Sequence, residues 1–253
     1  MNTLIIEIKK GGLGDHLFFS HIPRIAKQTG KYEKVLFSKK SICRHPHTMK
    51  LVWESNKFID GFTEETGTYF FPSEIQEGMN LLDAIMIGYG LEDGIRFHEP
   101  EIYYTPHIDD ALKESTIYDP NYISYTGNLK TGKNIQKWFK ESNLNVDFQM
   151  KSLGGRYLNI DTAVTELNTA DLFELCNVLA SCKRMYCLTT GTATLAAALG
   201  KPVTVFYGTG HDVLYRHSKL HTYQFVGSDF KLKDYFLFYV TKLLQVFMPV
   251  GKR

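Results

Sequence analysis

The sequence lacks the features of a chain that binds by bulk charge or crosses a membrane. Its 253 residues carry 29 Lys and Arg against 27 Asp and Glu, a net charge of +2, which is far from the cationic excess of a non-specific nucleic-acid binder. No run of about 18 apolar residues occurs, and the apolar run within residues 1–10 is too short for a secretory signal. We therefore expect no nucleic-acid partner and no membrane span.

Cysteine is scarce, and its spacing excludes two further classes. The four cysteines contain no CxxC pair, which argues against a zinc ribbon or a disulfide scaffold. Three of them, Cys176, Cys182 and Cys187, fall in one apolar stretch, as reduced core thiols do. We expect a cytoplasmic protein. Residues 231–253 are apolar, aromatic and basic, so a helix packed on another domain and contact with the inner face of a membrane both stay open.

The sequence contains predicted strands that alternate with predicted helices, and this pattern occurs twice along the chain; we call each occurrence a round. An apolar run, a glycine turn and a helical pattern ending near Gly30 open the first round. An extended segment at residues 99–116 then separates it from a second round that restarts the same pattern. Such alternation predicts parallel sheets with helical crossovers. The predicted strands are Leu4–Ile8, Lys34–Ser38, Phe58–Phe62 and Tyr122–Asn128.

The clearest βαβ unit lies in the second round. We expect Thr169 to cap a helix, followed by a strand at Arg184–Thr190 and a tight turn at Gly191. A short helix of small residues then ends at Gly200, before a strand at Pro202–Gly208. The N-terminus of the short helix would lie at the carboxyl edge of the sheet, where open α/β sheets bind ligands.

Two glycine-containing loops are candidates for function. The loop in KKGGLGDHLFF has Leu17 where a dinucleotide fingerprint needs its third glycine, and no Walker lysine follows. It presents Asp15 at the start of a helix, as a helix cap or as a functional carboxylate. Thr190, Gly191 and Thr192 could offer backbone N–H groups to a diphosphate, or could form an ordinary βαβ connection. His16 and His21 are expected at the surface or as caps.

Both loops resemble glycosyltransferase family 9, the heptosyltransferase-like enzymes. The resemblance rests on Gly12–Asp15 with Pro23 in the following helix, and on residues 171–210. It implies an α/β fold of the GT-B type, with two Rossmann-like domains whose parallel sheets face an interdomain cleft. Residues 1–108 would form the acceptor domain, 109–230 the nucleotide-sugar domain, and 231–253 a helix that crosses back. Residues 139–168 are few for the family, so one βα unit of the second domain could be reduced.

The resemblance also implies a reaction and a set of site residues. Family members transfer a sugar from a nucleotide diphosphate sugar to a glycan or glycolipid acceptor, with inversion and without a metal or other cofactor. By this likeness Asp15 is the general base. Gly12, Gly14 and His16 would lie on the acceptor side. The donor would contact Thr189, Thr190, Gly191, Thr192, Lys130, Lys133 and His211.

Two departures from the family pattern keep other functions open. Thr189 stands where the family commonly has an aspartate, and Thr194 where it commonly has a histidine. Both remove charged or titratable groups from the expected donor pocket. A catalytically silent GT-B-like protein that binds a nucleotide or glycan is therefore the first alternative. A sugar-nucleotide epimerase or hydrolase on the same fold is the second.

Overall fold

The first sheet of the computed structural model, which describes residues 2–122, 130–151, 156–157, 164–208 and 215–227, contains three parallel strands. These are β1 (Thr3–Ile6), β2 (Lys34–Ser38) and β3 (Gly61–Thr63), hydrogen-bonded in the order β3-β2-β1. Beyond β1, Thr68 forms a parallel bridge to Ile6. β2 lies where the sequence predicts it, while β3 begins later than the predicted strand at Phe58.

The helix predicted after the first strand is two helices. Helix α1 (Leu13–Leu17) ends before Phe18, and α2 (Ile22–Gln28) begins afresh with Pro23 in its first turn. Proline has no N–H to continue the ladder and its ring clashes with the preceding turn, so a helix starts at Pro23 more readily than it passes through. Helices α3 (Pro46–Thr48), which continues as a π-helical turn over Met49–Glu54, and α4 (Leu81–Gly88) complete this half.

The second sheet has six parallel strands in the order β8-β6-β4-β9-β10-β11. Counted along the chain, this is the 3-2-1-4-5-6 order of a Rossmann fold, whose switch point lies between β4 and β9. A short antiparallel pair, β5 (Asn121–Tyr122) with β7 (Arg156–Tyr157), lies outside it. The six strands are β4 (Thr116–Asp119), β6 (Phe148–Met150), β8 (Thr165–Leu167), β9 (Arg184–Leu188), β10 (Thr204–Tyr207) and β11 (Thr222–Phe225).

In the described part of the second half, the α-helices are α5 (Lys130–Glu141), α6 (Leu172–Ser181) and α7 (Gly191–Ala198). The apolar face of α5 packs through Ile135 and Phe139 against Tyr118 and Phe206 of the strands. A larger apolar cluster extends through both halves of the chain, from Leu4 in β1 to Val205 in β10. The two sheets thus share a buried core.

Two local predictions are wrong. The first strand of the second sheet is β4, which starts at Thr116, the last residue of the predicted linker. Residues 115–119 are buried, but the polar residues on either side of them resemble a loop. The cap of α6 is Asp171, whose carboxylate accepts the Phe173 and Glu174 N–H groups at 2.8 and 2.9 Å, so it is not Thr169. A carboxylate adjacent to the first turn reaches these N–H groups directly.

The predicted domain limits at 108 and 230 stay predictions. Residues 139–168, which are few for the family, contain β6 and β8, and residues 151–164 connect these two strands. Most of the predicted strand at Tyr122–Asn128, the His211 loop and the predicted C-terminal helix in residues 231–253 lie outside the described residues.

Candidate functional site

The two loops singled out by the sequence lie against each other. α1 follows the carboxyl end of β1, and α7 follows the carboxyl end of β9 at the switch point of the second sheet. A Cβ built on Gly191 would lie 3.2 Å from the Gly14 amide nitrogen, so the two backbones are in contact. We call this contact of Leu13 and Gly14 with residues 191–194 the helix junction. It brings the two candidate loops into one site.

Asp15 is a capping residue whose carboxylate is partly buried. Its Oδ2 accepts the Gly12 N–H at 3.0 Å, which anchors the first turn of α1. Burial raises the pKa of the Asp15 carboxyl, while the Gly12 N–H and the nearby Lys10 and Arg44 side chains lower it. Burial is the larger effect, so this carboxylate is more basic than an exposed aspartate. The capping and functional interpretations of Asp15 are therefore compatible.

His16 supports the loop from inside the protein. Its side chain is fully buried. Nδ1 accepts the Trp53 indole N–H at 2.7 Å, and Nε2 lies 2.9 Å from the Ile42 carbonyl as its donor. Burial lowers the pKa of His16 to about 4, which keeps the ring neutral. The expectation of a surface position is wrong for both His16 and His21, whose side chains are fully buried. His21 is the N-cap residue of α2, but its ring makes no capping hydrogen bond and lies 3.1 Å from the Leu82 carbonyl instead.

The N-terminus of α7 has threonines on both sides, and no side chain caps it among the residues that the structure describes. The Thr190 hydroxyl donates to the Leu188 carbonyl at 3.4 Å rather than accepting from the helix. The first-turn N–H groups of Gly191 and Thr192 are thus left without a capping side chain, at the carboxyl edge of the sheet. An uncapped helix N-terminus favours an anion through its N–H groups and the helix dipole.

Asp119 is a site residue that the sequence analysis missed. It ends β4 across the switch point from α7 and is almost completely buried. Its Oδ2 accepts the Thr192 hydroxyl at 2.6 Å, and Oδ1 accepts from the Asn121 backbone and side chain. Burial raises its pKa. An aspartate at the carboxyl end of a strand could have signalled this position, but the sequence analysis placed the first strand of this half at Tyr122–Asn128, beyond Asp119.

The two threonines at the positions that depart from the family pattern point into the protein. The Thr189 hydroxyl donates to the Phe206 carbonyl at 3.3 Å, and the buried Thr194 hydroxyl to the Thr190 carbonyl at 3.4 Å. Lys133 is exposed in the first turn of α5, the helix after β4, and Lys130 begins that helix. The structure brings Gly14 into contact with Gly191 and Thr194, and Gly12 and Asp15 belong to the same turn as Gly14. His211 lies outside the described residues.

Searches for a metal site and for a membrane span give negative results. Within the described ranges, no group of three or more His, Cys, Asp or Glu side chains is arranged to hold a metal ion. None of the helices described is long and apolar enough to cross a membrane.

The fold is that of GT-B glycosyltransferases, with a Rossmann-type sheet and a second parallel sheet that meet at the helix junction. A family 9 glycosyltransferase from Veillonella parvula is 9% identical, with 95% of this chain and 89% of that chain covered and a TM-score of 0.60. Escherichia coli heptosyltransferase WaaC with ADP is 13% identical, covering 89% and 93% with a TM-score of 0.54. These likenesses confirm the GT-B fold that the sequence resemblance implies.

A third similar structure is longer than this chain. The iron-containing dodecameric glycosyltransferase TibC from enterotoxigenic E. coli is 15% identical, with a TM-score of 0.60, and the likeness covers 91% of this chain but 64% of TibC. The chain thus spans less than two thirds of the length of TibC. Neither a protein-family model nor a curated protein sequence matches the chain.

Proposed function

We propose that the protein is a glycosyltransferase that moves a sugar from a nucleoside diphosphate sugar to a hydroxyl group of a glycan or glycolipid acceptor, with inversion and without a metal ion. The observation that carries this proposal is the helix junction. It brings a basic carboxylate, Asp15, together with an uncapped helix N-terminus that suits a diphosphate. Sugar transfer requires both groups in one site.

In the proposed reaction, Asp15 takes the proton from the acceptor hydroxyl as its oxygen attacks the anomeric carbon. The bond between that carbon and the diphosphate oxygen breaks, and its electron pair leaves with the nucleoside diphosphate. A single displacement of this kind inverts the configuration at the anomeric carbon. The raised pKa of Asp15 favours this role, since a more basic carboxylate accepts a proton more readily.

The leaving group gains negative charge as its bond breaks, and α7 supplies the compensation in our proposal. Its first-turn N–H groups at Gly191 and Thr192 would bind the diphosphate oxygens. Thr189 and Thr190 would line the same pocket. Lys130, Lys133 and His211 are proposed as further donor contacts, and the lysines begin the helix that follows the other strand of the switch point.

The comparisons suggest which donors to try first. WaaC was solved with ADP, and TibC with ADP-D-β-D-heptose. ADP and ADP-sugars should therefore head a thermal-shift screen of nucleoside diphosphates and their sugars. A ligand that binds only the native protein raises its melting temperature as its concentration exceeds Kd.

The decisive variant is Asp15→Asn, because its amide oxygen can still accept the Gly12 N–H while the base is lost. We expect turnover of the donor found in the screen to fall about 10²–10⁴-fold, with the ADP-induced thermal shift retained. Asp171→Asn is the matched control, since it removes another helix-capping carboxylate. Its amide oxygen can likewise still cap α6, so both the melting temperature and turnover should stay close to those of the wild type. Wild-type turnover in Asp15→Asn would refute the proposed mechanism.

The inward-pointing Thr189 and Thr194 hydroxyls favour one alternative function, a GT-B-like protein that binds a nucleotide or glycan without turnover. Both hydroxyls are hydrogen-bonded to backbone carbonyls, so neither replaces the charged groups of the family pattern. Thermal stabilisation by nucleoside diphosphates with no release of product across the donor panel would support this alternative.

A further inference from the structure

The Tyr69 hydroxyl is buried and has no hydrogen-bond partner among the described residues. A buried hydroxyl without a partner costs about 1–3 kcal/mol relative to one that is paired, so such groups in native proteins call for an explanation. The Tyr89 hydroxyl, nearby in the same half of the chain, donates to the Thr68 carbonyl at 2.8 Å. Tyr89 thus has a hydrogen-bond partner for its hydroxyl, whereas Tyr69 has none among the described residues.

Backbone pairing places Tyr69 at the mouth of the glycine loop. The preceding Thr68 is paired with β1, since its N–H donates to Ile5 and its carbonyl accepts from Glu7. Tyr69 therefore continues along the carboxyl end of β1, where the loop to Asp15 begins. Its ring stacks on Phe19, just after α1, with centroids 5.4 Å apart.

Residues of the glycine loop lie near Tyr69 and its strand. Phe71, two residues further along, lies under the Lys10 ammonium group at 4.3 Å. Burial raises the pKa of Tyr69 to about 12, and the Asp15 carboxylate and Tyr215 add to this effect electrostatically. The hydroxyl is therefore neutral at physiological pH and can both donate and accept a hydrogen bond.

We propose that Tyr69 is part of the acceptor site, where its hydroxyl binds an acceptor oxygen next to the hydroxyl that Asp15 deprotonates. The inference rests on the proposed function and narrows its substrate class. An acceptor that satisfies both groups carries two neighbouring oxygens, as the vicinal diol of a sugar does. An isolated hydroxyl would leave the buried phenol unpaired, and a site built around a polar group discriminates against ligands that lack the matching group.

Melting temperatures of two phenylalanine variants test whether Tyr69 is free for a ligand. Tyr69→Phe removes a hydroxyl with no partner, so the melting temperature should be unchanged or higher. Tyr89→Phe removes the bond to Thr68, so we expect a decrease of about 2–4 °C for a chain of this length. An equal decrease in both variants would show that the Tyr69 hydroxyl has a structural partner, and would overturn the proposal.

Acceptor kinetics test the role itself, with methyl glycosides of hexoses and heptoses and their monodeoxy analogues as probes. For the parent glycoside, Tyr69→Phe should raise the acceptor KM at least tenfold and leave the donor KM unchanged. For the analogue that lacks the neighbouring hydroxyl, wild type and Tyr69→Phe should have the same acceptor KM. A Tyr69→Phe effect of equal size on both acceptors would contradict the proposal.

A titration that needs no turnover separates this inference from the proposed function. Protein labelled with ¹³Cζ-tyrosine has a Tyr69 resonance that Tyr69→Phe identifies. Methyl glycosides with a vicinal diol should shift that resonance to saturation, and deoxy analogues should not. If glycosides shift the Tyr69 resonance but no donor is turned over, the proposed function is refuted and the Tyr69 site is supported. No shift with any glycoside would overturn the Tyr69 site.

Discussion

One oxygen of Asp15 holds the Gly12 N–H, and this bond fixes the carboxylate at the helix junction. A base that is also a cap is already oriented when the acceptor arrives. Gly12 has a further reason to be glycine, because a Cβ there would lie 2.9 Å from the same Asp15 oxygen. The position of the Asp15 carboxylate therefore depends on glycine at residue 12.

The pH dependence of turnover should report the pKa of Asp15. The base acts when deprotonated, so kcat/KM should fall as the pH falls through the pKa of Asp15, which burial raises above the ordinary 3.8. Lys10 lowers this pKa, so Lys10→Met should move the acid limb to higher pH. Lys9→Met, on the same loop, should not move it. An identical acid limb in wild type and Lys10→Met would contradict the assignment of that limb to Asp15.

His16 should make the stability of the protein depend on pH. Its pKa is about 4 in the folded protein against 6.5 in the unfolded chain, so its contribution is complete above pH 6.5 and is lost as the pH falls towards 4. Between pH 7.5 and pH 5, one such group accounts for about 2 kcal/mol of the free energy of unfolding. Urea denaturation should therefore show a smaller loss for His16→Asn than for wild type over this range. Equal losses would mean that His16 is protonated in the folded protein.

The sequence predicts the position of Asp15 at the start of a helix but not the burial of His16, and the reason is physical. A carboxylate after a glycine turn is recognisable because its chemistry depends on its immediate neighbours. The partners of His16 are Trp53 and Ile42, which are distant in the sequence. No local pattern reports that pairing.

Among the elements, α7 is joined to β4 by a buried hydrogen bond. Thr192 donates to Asp119 across the switch point, and its loss would leave a buried carboxyl oxygen with one partner fewer. Thr192→Val should lower the free energy of unfolding by about 1–3 kcal/mol. Thr194→Val is the matched control in the same helix, because the Thr194 hydroxyl only bonds back to Thr190. Its effect in urea denaturation should be smaller, and equal effects would contradict this role of Asp119.

The elements themselves were largely predictable. β2, α5, β9 and α7 follow from apolar periodicity and from glycine at positive φ, as at Gly200 after α7. β4 was misplaced because periodicity shows that a segment is buried but not which strand it pairs with. The Rossmann order of the second sheet is set by such pairings, so it emerged only from the structure.

For the whole molecule, the helix junction limits how close the two halves can come. Gly191→Ala would place a methyl group 3.2 Å from the Gly14 nitrogen and the Leu13 Cβ, so the halves must shift apart. Gly14→Ala meets its nearest atoms at 3.4 Å, an ordinary contact. We expect Gly191→Ala to be destabilised by about 1–3 kcal/mol and Gly14→Ala by less. Chemical denaturation of both variants measures this, and the reverse order would contradict the junction geometry.

The shared core around the helix junction also bears on motion. The two halves are joined by one continuous apolar cluster and by hydrogen bonds away from the junction, such as that from the Asn80 side chain to the His217 carbonyl. Wide separation of the halves would expose this cluster to water, which is unfavourable. We therefore expect only small relative movements of the two halves, so the proposed base and the proposed diphosphate site would keep a nearly constant separation while substrates enter and leave.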